Sequence, residues 1–143
     1  MEVRRPLPKP DPVSAGFWDA AGRGELAIQR CRACRRFQHP PSPLCRSCGG
    51  TDLGFGTVSG QARLWSWTTT HHAVIDGFGP AIPYTCLVVE LVEQPGLFLL
   101  SDLIGRADAA KLALGASMHA VFPDPGDSGP VLPQFAAMPE AGR

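Results

Sequence analysis

Four thiols in the run CRACRRFQHPPSPLCRSC, paired as Cys31/Cys34 and Cys45/Cys48, constrain the fold of this chain more than any other feature. Two cysteines separated by two residues aim both sulfurs at one ion from a tight turn, and two such turns facing each other complete a tetrahedral thiolate shell. The spacing predicts a zinc ribbon with these four residues as ligands. A shell closed by four thiolates keeps no open position and no water to activate, so the expected zinc is structural and chemistry must be sought elsewhere. Disulfides are the competing use of four cysteines. The opening MEVRRPLPKPDP is polar and proline-rich, and it reads as no signal peptide. A cytoplasmic, reducing compartment is expected on that ground, and it favours zinc over disulfides.

A chain of 143 residues suits one domain, or a small metal-stapled module joined to one modest domain. Its apolar stretches are broken by Gly, Pro or charge well short of the roughly 20 residues that cross a bilayer, so no membrane span is expected. The 16 glycines and 15 prolines gather at turns and at both ends, which favours short strands with tight connections over a helical bundle. A net charge of zero hides an asymmetry: residues 1–52 hold nine Lys or Arg against five Asp or Glu, and residues 53–143 hold four against eight. Most of the basic excess surrounds the cysteines, as Arg30, Arg32, Arg35, Arg36 and Arg46. One reading is compensation for four thiolates on zinc, which leave a charge of about −2. The other is contact with phosphate groups or an acidic partner, since planar guanidinium forks suit phosphate.

Residues 1–13 carry four prolines and read as an extended arm that is ordered only where it lies on something. Ser14 then has the character of an N-cap for a short helix that presents Phe17, Trp18 and Ala21 and ends at Gly22 and Gly24. ELAIQRC alternates apolar Leu26 and Ile28 with polar neighbours and reads as a strand entering the first knuckle. TDLGFGTVSG reads as a glycine-punctuated connection. The expected organisation is arm and helix over 1–24, ribbon over 25–56, and a second unit with a C-terminal tail over 57–143.

From Gly60 onward the strand signals are consecutive. In QARLWSWTTTHH, strict alternation puts Ala62, Leu64, Ser66 and Thr68 on one face and Arg63, Trp65, Trp67 and Thr69 on the other, an aromatic side. A long Gly/Pro loop with Phe78 near its tip leads to YTCLVVELVE, which is apolar enough to be central, and LFLLSDLIG returns after the Gln94-Pro95-Gly96 turn. ADAAKLALG reads as a short helix or loop, SMHAVFPD as a fourth strand and DPGDSGP as a mobile loop. VLPQFAAM reads as a fifth, edge strand interrupted by Pro133. Five short strands with a helical break after the third describe an OB-type barrel, so the predicted class is mainly β, with a short N-terminal helix and a rubredoxin-like zinc ribbon ahead of a five-stranded OB fold.

The Phe17-Trp18 pair, the four cysteines around Pro40-Pro41, the barrel start SGQARLWSWTTTHH, Gly77-Phe78, Pro83-Tyr84, the Gly115 turn and Leu132-Pro133-Gln134-Phe135 occur here in one order. In that order they resemble the two-part bacterial and archaeal proteins long labelled domain of unknown function thirty-five, in which a zinc ribbon precedes an acyl-CoA-associated OB fold. The resemblance covers nearly the whole chain. Arg35 departs from it where glycine often follows the first knuckle, and Arg46 where proline often sits in the second; neither change removes a thiolate. The resemblance implies a non-catalytic accessory subunit of an acyl-CoA-processing complex. Its partner would be a thiolase-like acyltransferase, a steroid side-chain retro-aldolase or a hydratase, and the subunit would help to form the channel for the CoA arm. It also implies Arg36 and Arg63 as candidates for CoA phosphates, with Trp65, Trp67, His71, Phe78 and Tyr84 as candidate contacts for CoA or the partner.

Taken alone, these residues have plainer readings. Cys86 lies within TCLVVEL, where a core thiol is expected and a nucleophile is not. His71 and His72 are strand neighbours that face opposite ways and suit a surface pair better than a metal or base site. Glu90 and Glu93 read as solvated edge charges. Trp65, Trp67 and Phe78 suit either a planar ligand or packing of the ribbon and helix, and Phe17 with Trp18 reads as a docking staple. Two rival functions follow from the same features. A single-stranded nucleic-acid binder fits ribbon and barrel folds, but the barrel half is acidic. A stand-alone thioesterase lacks a Ser/His/Asp or Cys/His spacing to support it.

Overall fold

The computed structural model describes residues 5–104, 108–126 and 129–139. Helix α1 (Ala15–Gly22) begins at Ser14 as expected, but the Ser14 hydroxyl does not cap it. Instead the hydroxyl turns back to donate to Asp11 Oδ1 at 2.8 Å, and the Ser14 amide donates to the same oxygen at 2.7 Å, which fixes the entry turn. The Ser14 hydroxyl, followed by the Ser14 amide, holds the Asp11 carboxyl below its usual range. The helix ends where Gly24 takes a φ of 76°, with the amides of Arg23 and Gly24 returning to Ala20 O and Ala21 O, both at 2.9 Å. Phe17, Ala20 and Ala21 form its buried face.

The ribbon is a three-stranded antiparallel sheet with β1 (Leu26–Cys31) between β2 (Phe37–Gln38) and β3 (Leu53–Val58). Its central place explains a departure from alternation, because Ala27 and Gln29 are buried together with Leu26 and Ile28. Buried Gln29 needs partners and has them: it exchanges 2.9 Å bonds with the amide and carbonyl of Ser42. Gln38 joins it, donating to Gln29 and to Leu44 O at 3.1 Å and accepting from the Arg46 amide at 2.9 Å. These two glutamines tie the loop between the knuckles to the sheet.

The run expected as a connection, TDLGFGTVSG, is mostly strand β3, paired with β1 from Leu26↔Val58 to Cys31↔Leu53. Its glycines do not break the strand because they alternate and clear one face. A Cβ on Gly54 would meet the Arg32 guanidinium, and one on Gly56 would press on the Phe37 ring. Gly16 does the same on the helix, where a side chain would run into the Phe55 ring.

The second sheet has the order β6-β5-β4-β7-β8, from β4 (Gln61–Thr70), β5 (Tyr84–Leu91), β6 (Phe98–Asp102), β7 (Ser117–Val121) and β8 (Gln134–Ala137). Strand β4 pairs along its length with β5 and lends only Gln61–Arg63 to β7, so the sheet curls around its first half. The two ends of the curl meet at one parallel bridge, Leu103↔Phe135, backed by bonds from the Ile104 amide to Phe135 O at 2.9 Å and from Ser101 Oγ to Pro133 O at 2.7 Å. This is the five-stranded OB arrangement, open along its β6–β8 seam. Pro133 lies just before β8 and does not interrupt it; the strand starts at the first residue able to donate. Among the described residues, the break before β7 holds a 3₁₀ turn, Ala109–Lys111, capped by Asp108 Oδ1 on the Ala110 amide at 2.9 Å. Gly115, at φ 79°, turns the chain back onto Leu64 O at 2.7 Å. Part of the expected DPGDSGP loop and the end of the C-terminal tail lie outside the described residues.

One apolar core runs from α1 through the ribbon into the barrel, linking Phe17, Ile28 and Val58 to Leu64, Val89, Met118 and Phe135. Polar clips reinforce the junction. Gln94, in the β5–β6 turn, bonds both the amide (2.9 Å) and the carbonyl (3.0 Å) of Phe37, and Glu93 accepts from the amide (2.8 Å) and hydroxyl (2.6 Å) of Ser59. Among the described residues no helix is long and apolar enough to cross a membrane.

Candidate functional site

The two knuckles bring Cys31, Cys34, Cys45 and Cys48 together with all four sulfurs within 4.8 Å of one another. Cys31 Sγ lies 3.7 Å from Cys48 Sγ, and Cys34 Sγ lies 3.6 Å from Cys45 Sγ. A tetrahedron with metal–sulfur bonds of about 2.3 Å has edges of about 3.8 Å, so the donor set fits zinc in size and chemistry. The knuckle amides complete it: Cys34 N approaches Cys31 Sγ at 3.5 Å and Ser47 N approaches Cys45 Sγ at 3.4 Å. The Cys34 amide lowers the Cys31 thiol, and the Cys48 amide, then that of Ser47, lowers Cys45 to about 6. Each knuckle needs a left-handed residue after its second cysteine. Gly49 supplies it at φ 73°, and Arg35 supplies it at φ 69°. The four thiolates would hold a structural zinc, and such a closed shell would leave no position for substrate.

Three of the five ribbon arginines are engaged within the fold. Arg30 Nε donates to Arg35 O at 2.7 Å with its guanidinium 4.7 Å above the Phe37 ring, Arg32 pairs with Asp52 at 2.8 Å, and Arg46 donates to Pro40 O at 2.7 Å. Arg35 and Arg36 have exposed side chains. Arg63 is also exposed, beside Glu90 and Pro95 on the barrel.

A groove of about 500 Å³ runs between α1, the His39–Pro41 segment of the ribbon, and β6 with Leu132–Gln134. Its walls are mainly apolar, from Phe17, Trp18, Leu99, Leu100 and Leu132. Phe17 meets Trp18 edge-on at 5.0 Å and His39 of the ribbon at 5.4 Å, and the pair forms one wall of the groove. His39 Nδ1 is buried without a hydrogen-bond partner, and burial, followed by the Arg46 charge, lowers the imidazole to about 4. Its lining comes from segments far apart in sequence, which is why no local motif announces His39, Leu100 or Asp102.

Cys86 is not the core thiol expected from its apolar surroundings. In the β5 pattern the buried positions are Thr85, Leu87, Val89 and Leu91, so Cys86 falls on the opposite face, half-buried, and lines the groove across from Asp102. Burial, and then the facing Asp102 carboxylate, push this thiol up, which disfavours the thiolate a nucleophile requires.

The tryptophans do not share a face either. The β4–β5 register passes from Leu64↔Val89 to Ser66↔Val88, leaving Trp65 as the extra residue of a β-bulge. Beyond the bulge the alternation inverts. Trp67 is level with buried Leu87 and packs on the core, whereas Trp65 is 56% exposed and lies 4.9 Å from Phe98 on the outer face. Phe78 and Tyr84 meet at 5.5 Å, and the N-terminal arm closes over them: the Arg5 guanidinium is 4.4 Å from the Phe78 centroid and 3.5 Å from Asp102. His71 and His72 are both exposed at the end of β4, next to a loop whose Val74 is 90% exposed. The candidate contacts are thus dispersed: Trp65 outside, Trp67 inside, Phe78 and Tyr84 under the arm, and Arg36 on the ribbon.

Residues 18–54 match a family described as ChsH2, rubredoxin-like zinc ribbon domain, and residues 56–123 match ChsH2, C-terminal OB-fold domain. The chain is similar to a probable enoyl-CoA hydratase alpha subunit of Thermomonospora curvata, at 36% identity over 103 residues, or 72% of this chain. It spans only 31% of that protein's length. Among solved structures it is similar to a chain of an Ltp2-ChsH2(DUF35) aldolase, with a TM-score of 0.79 and 30% identity, covering 92% of this chain and 98% of that one. A DUF35-family protein of unknown function from Sulfolobus solfataricus shares the fold, with a TM-score of 0.58, 15% identity, and coverage of 89% and 86% of the two chains.

Proposed function

Because the chain belongs to the ChsH2 (DUF35) family of zinc-ribbon and OB-fold proteins, we propose that it is the non-catalytic subunit of an enzyme acting on acyl-CoA thioesters. In this reading its partner is a thiolase-like protein, an acyltransferase or a retro-aldolase, which supplies the nucleophile or base. The observation that carries the reading is the likeness to nearly the full length of a chain in a solved Ltp2-ChsH2(DUF35) aldolase. The chemistry of the chain agrees with it. A closed thiolate shell, a thiol pushed up by burial and then by Asp102, and scattered histidines supply neither an activated nucleophile nor a poised base.

The barrel's outer face supplies a surface for such a partner. Trp65 packs at a tilt against Phe98, Val88 lies across from Leu100, and Leu100 is 79% exposed, so apolar side chains run over β4, β5 and β6 to the rim of the groove. An exposed apolar band rimmed by polar residues marks an interaction site. In the proposed complex the partner covers this band and the groove forms part of the acyl channel. Co-expression with a thiolase-like protein, followed by gel filtration, tests the reading. A complex is expected with the native chain, and Leu100→Asp, a change at an exposed position, is expected to abolish it without altering the fold.

A further inference from the structure

We infer that the arginine-lined notch on the ribbon binds a phosphate-bearing ligand, recognised by Arg30, Arg32 and Arg35. The notch, about 310 Å³, is bounded by these three side chains, by Cys31 and Phe55, and by the backbone of Gly54 and Gly56. Alternate glycines build it. A Cβ on Gly54 would stand 2.6 Å from the Arg32 guanidinium, and one on Gly56 would stand 3.2 Å from the Phe37 ring and 3.8 Å from the Arg30 stem. The two guanidinium-bearing side chains therefore lie across a floor of bare backbone.

Both are anchored by part of the fork and keep donors to spare. Arg30 uses Nε on the Arg35 carbonyl and rests on Phe37; Arg32 uses one terminal nitrogen on Asp52 and on Leu53 O, at 2.8 and 3.3 Å. A guanidinium carries five N–H donors in a fixed plane, so both retain N–H groups for a ligand. Arg35 adds a third guanidinium from an exposed, left-handed position. Asp52 pairs with Arg32, Arg30 and Arg35 add two further positive charges at the recess, and planar forks match phosphate oxygens. Compensation of the zinc thiolates explains positive charge near the sulfurs; it does not require a strand stripped of side chains beneath the arginines.

The inference deepens the acyl-CoA reading, on which it rests for the ligand's identity, because CoA carries a pyrophosphate and a 3′-phosphate. It places their contact on the ribbon, away from Arg63. The test is calorimetric titration of the zinc-loaded full chain, at low ionic strength and without any partner, using pyrophosphate and 3′,5′-adenosine diphosphate as probes. Both are expected to bind, and Arg35→Gly is expected to weaken binding by about tenfold or more. Glycine is favoured at the Arg35 backbone, so this loss cannot arise from unfolding. Arg63→Gln, which removes the same charge from the barrel, is expected to leave binding unchanged. Tighter binding of the nucleotide than of pyrophosphate assigns the notch to a nucleotide-bearing ligand, and equal binding assigns it to the phosphate group alone; both support the site. No binding, an equal loss in Arg63→Gln, or an oligonucleotide that binds far more tightly than the mononucleotide overturns it. Because no partner is present, failure here leaves the subunit assignment standing, and failure of complex formation leaves the notch standing.

Discussion

Trp65 and Trp67, two positions apart on one strand, lie on opposite faces of the barrel, because the bulge at Trp65 inverts the alternation between them. Their substitutions should therefore separate stability from assembly. Trp67→Ala is expected to cost about 2–3 kcal/mol in urea denaturation, because it empties a half-buried site against the core. Trp65→Ala is expected to cost about 1 kcal/mol or less, chiefly its contact with Phe98. In gel filtration with a partner the order should reverse, with Trp65→Ala the more damaging.

Arg35 occupies the left-handed position that Gly49 fills in the other knuckle. A side chain there costs roughly 1 kcal/mol. Arg35→Gly is thus expected to raise stability by about that amount in chemical denaturation, whereas Gly49→Ala should lower it by a similar amount.

The parts of the fold readable in the sequence are those written in local chemistry. Two knuckles state a metal site through spacing alone, and the strands after Gly60 show themselves by apolar runs between turn residues. Three features required the tertiary structure. Strand β3 is hidden because Gly54 and Gly56 signal a loop, while their actual use is to clear space for Arg32 and Phe37. The bulge at Trp65 is invisible because period-two reasoning assumes an unbroken register. The groove escapes because α1, the knuckle loop and β6 each supply only a few of its residues.

Zinc removal should be visible in the thiols. The chain has five cysteines, of which four form the metal cluster. With zinc bound, a colorimetric thiol reagent is expected to modify one cysteine, Cys86, and slowly, given its raised thiol. After chelation all five should react, with loss of the cooperative unfolding transition, because binding energy for a structural zinc is folding energy.

His39 makes stability depend on pH. Its imidazole falls from 6.5 to about 4 on folding, through burial and then the Arg46 charge, so the unfolded chain binds more protons between these values. Stability is full above about pH 6.5 and declines as pH drops towards 4, by on the order of 3 kcal/mol for this group. His39→Phe, which can pack against Phe17, is expected to flatten that part of the profile when denaturation midpoints are followed with pH.

In the proposed role this chain completes an enzyme without performing the chemistry. Acyl-CoA cleavage is to be measured for the zinc-loaded chain alone, for its thiolase-like partner alone and for the purified complex. Turnover is expected only in the complex, and it should persist in Cys86→Ala. Turnover by the isolated chain at a rate comparable to the complex, abolished by Cys86→Ala, would overturn the proposed role.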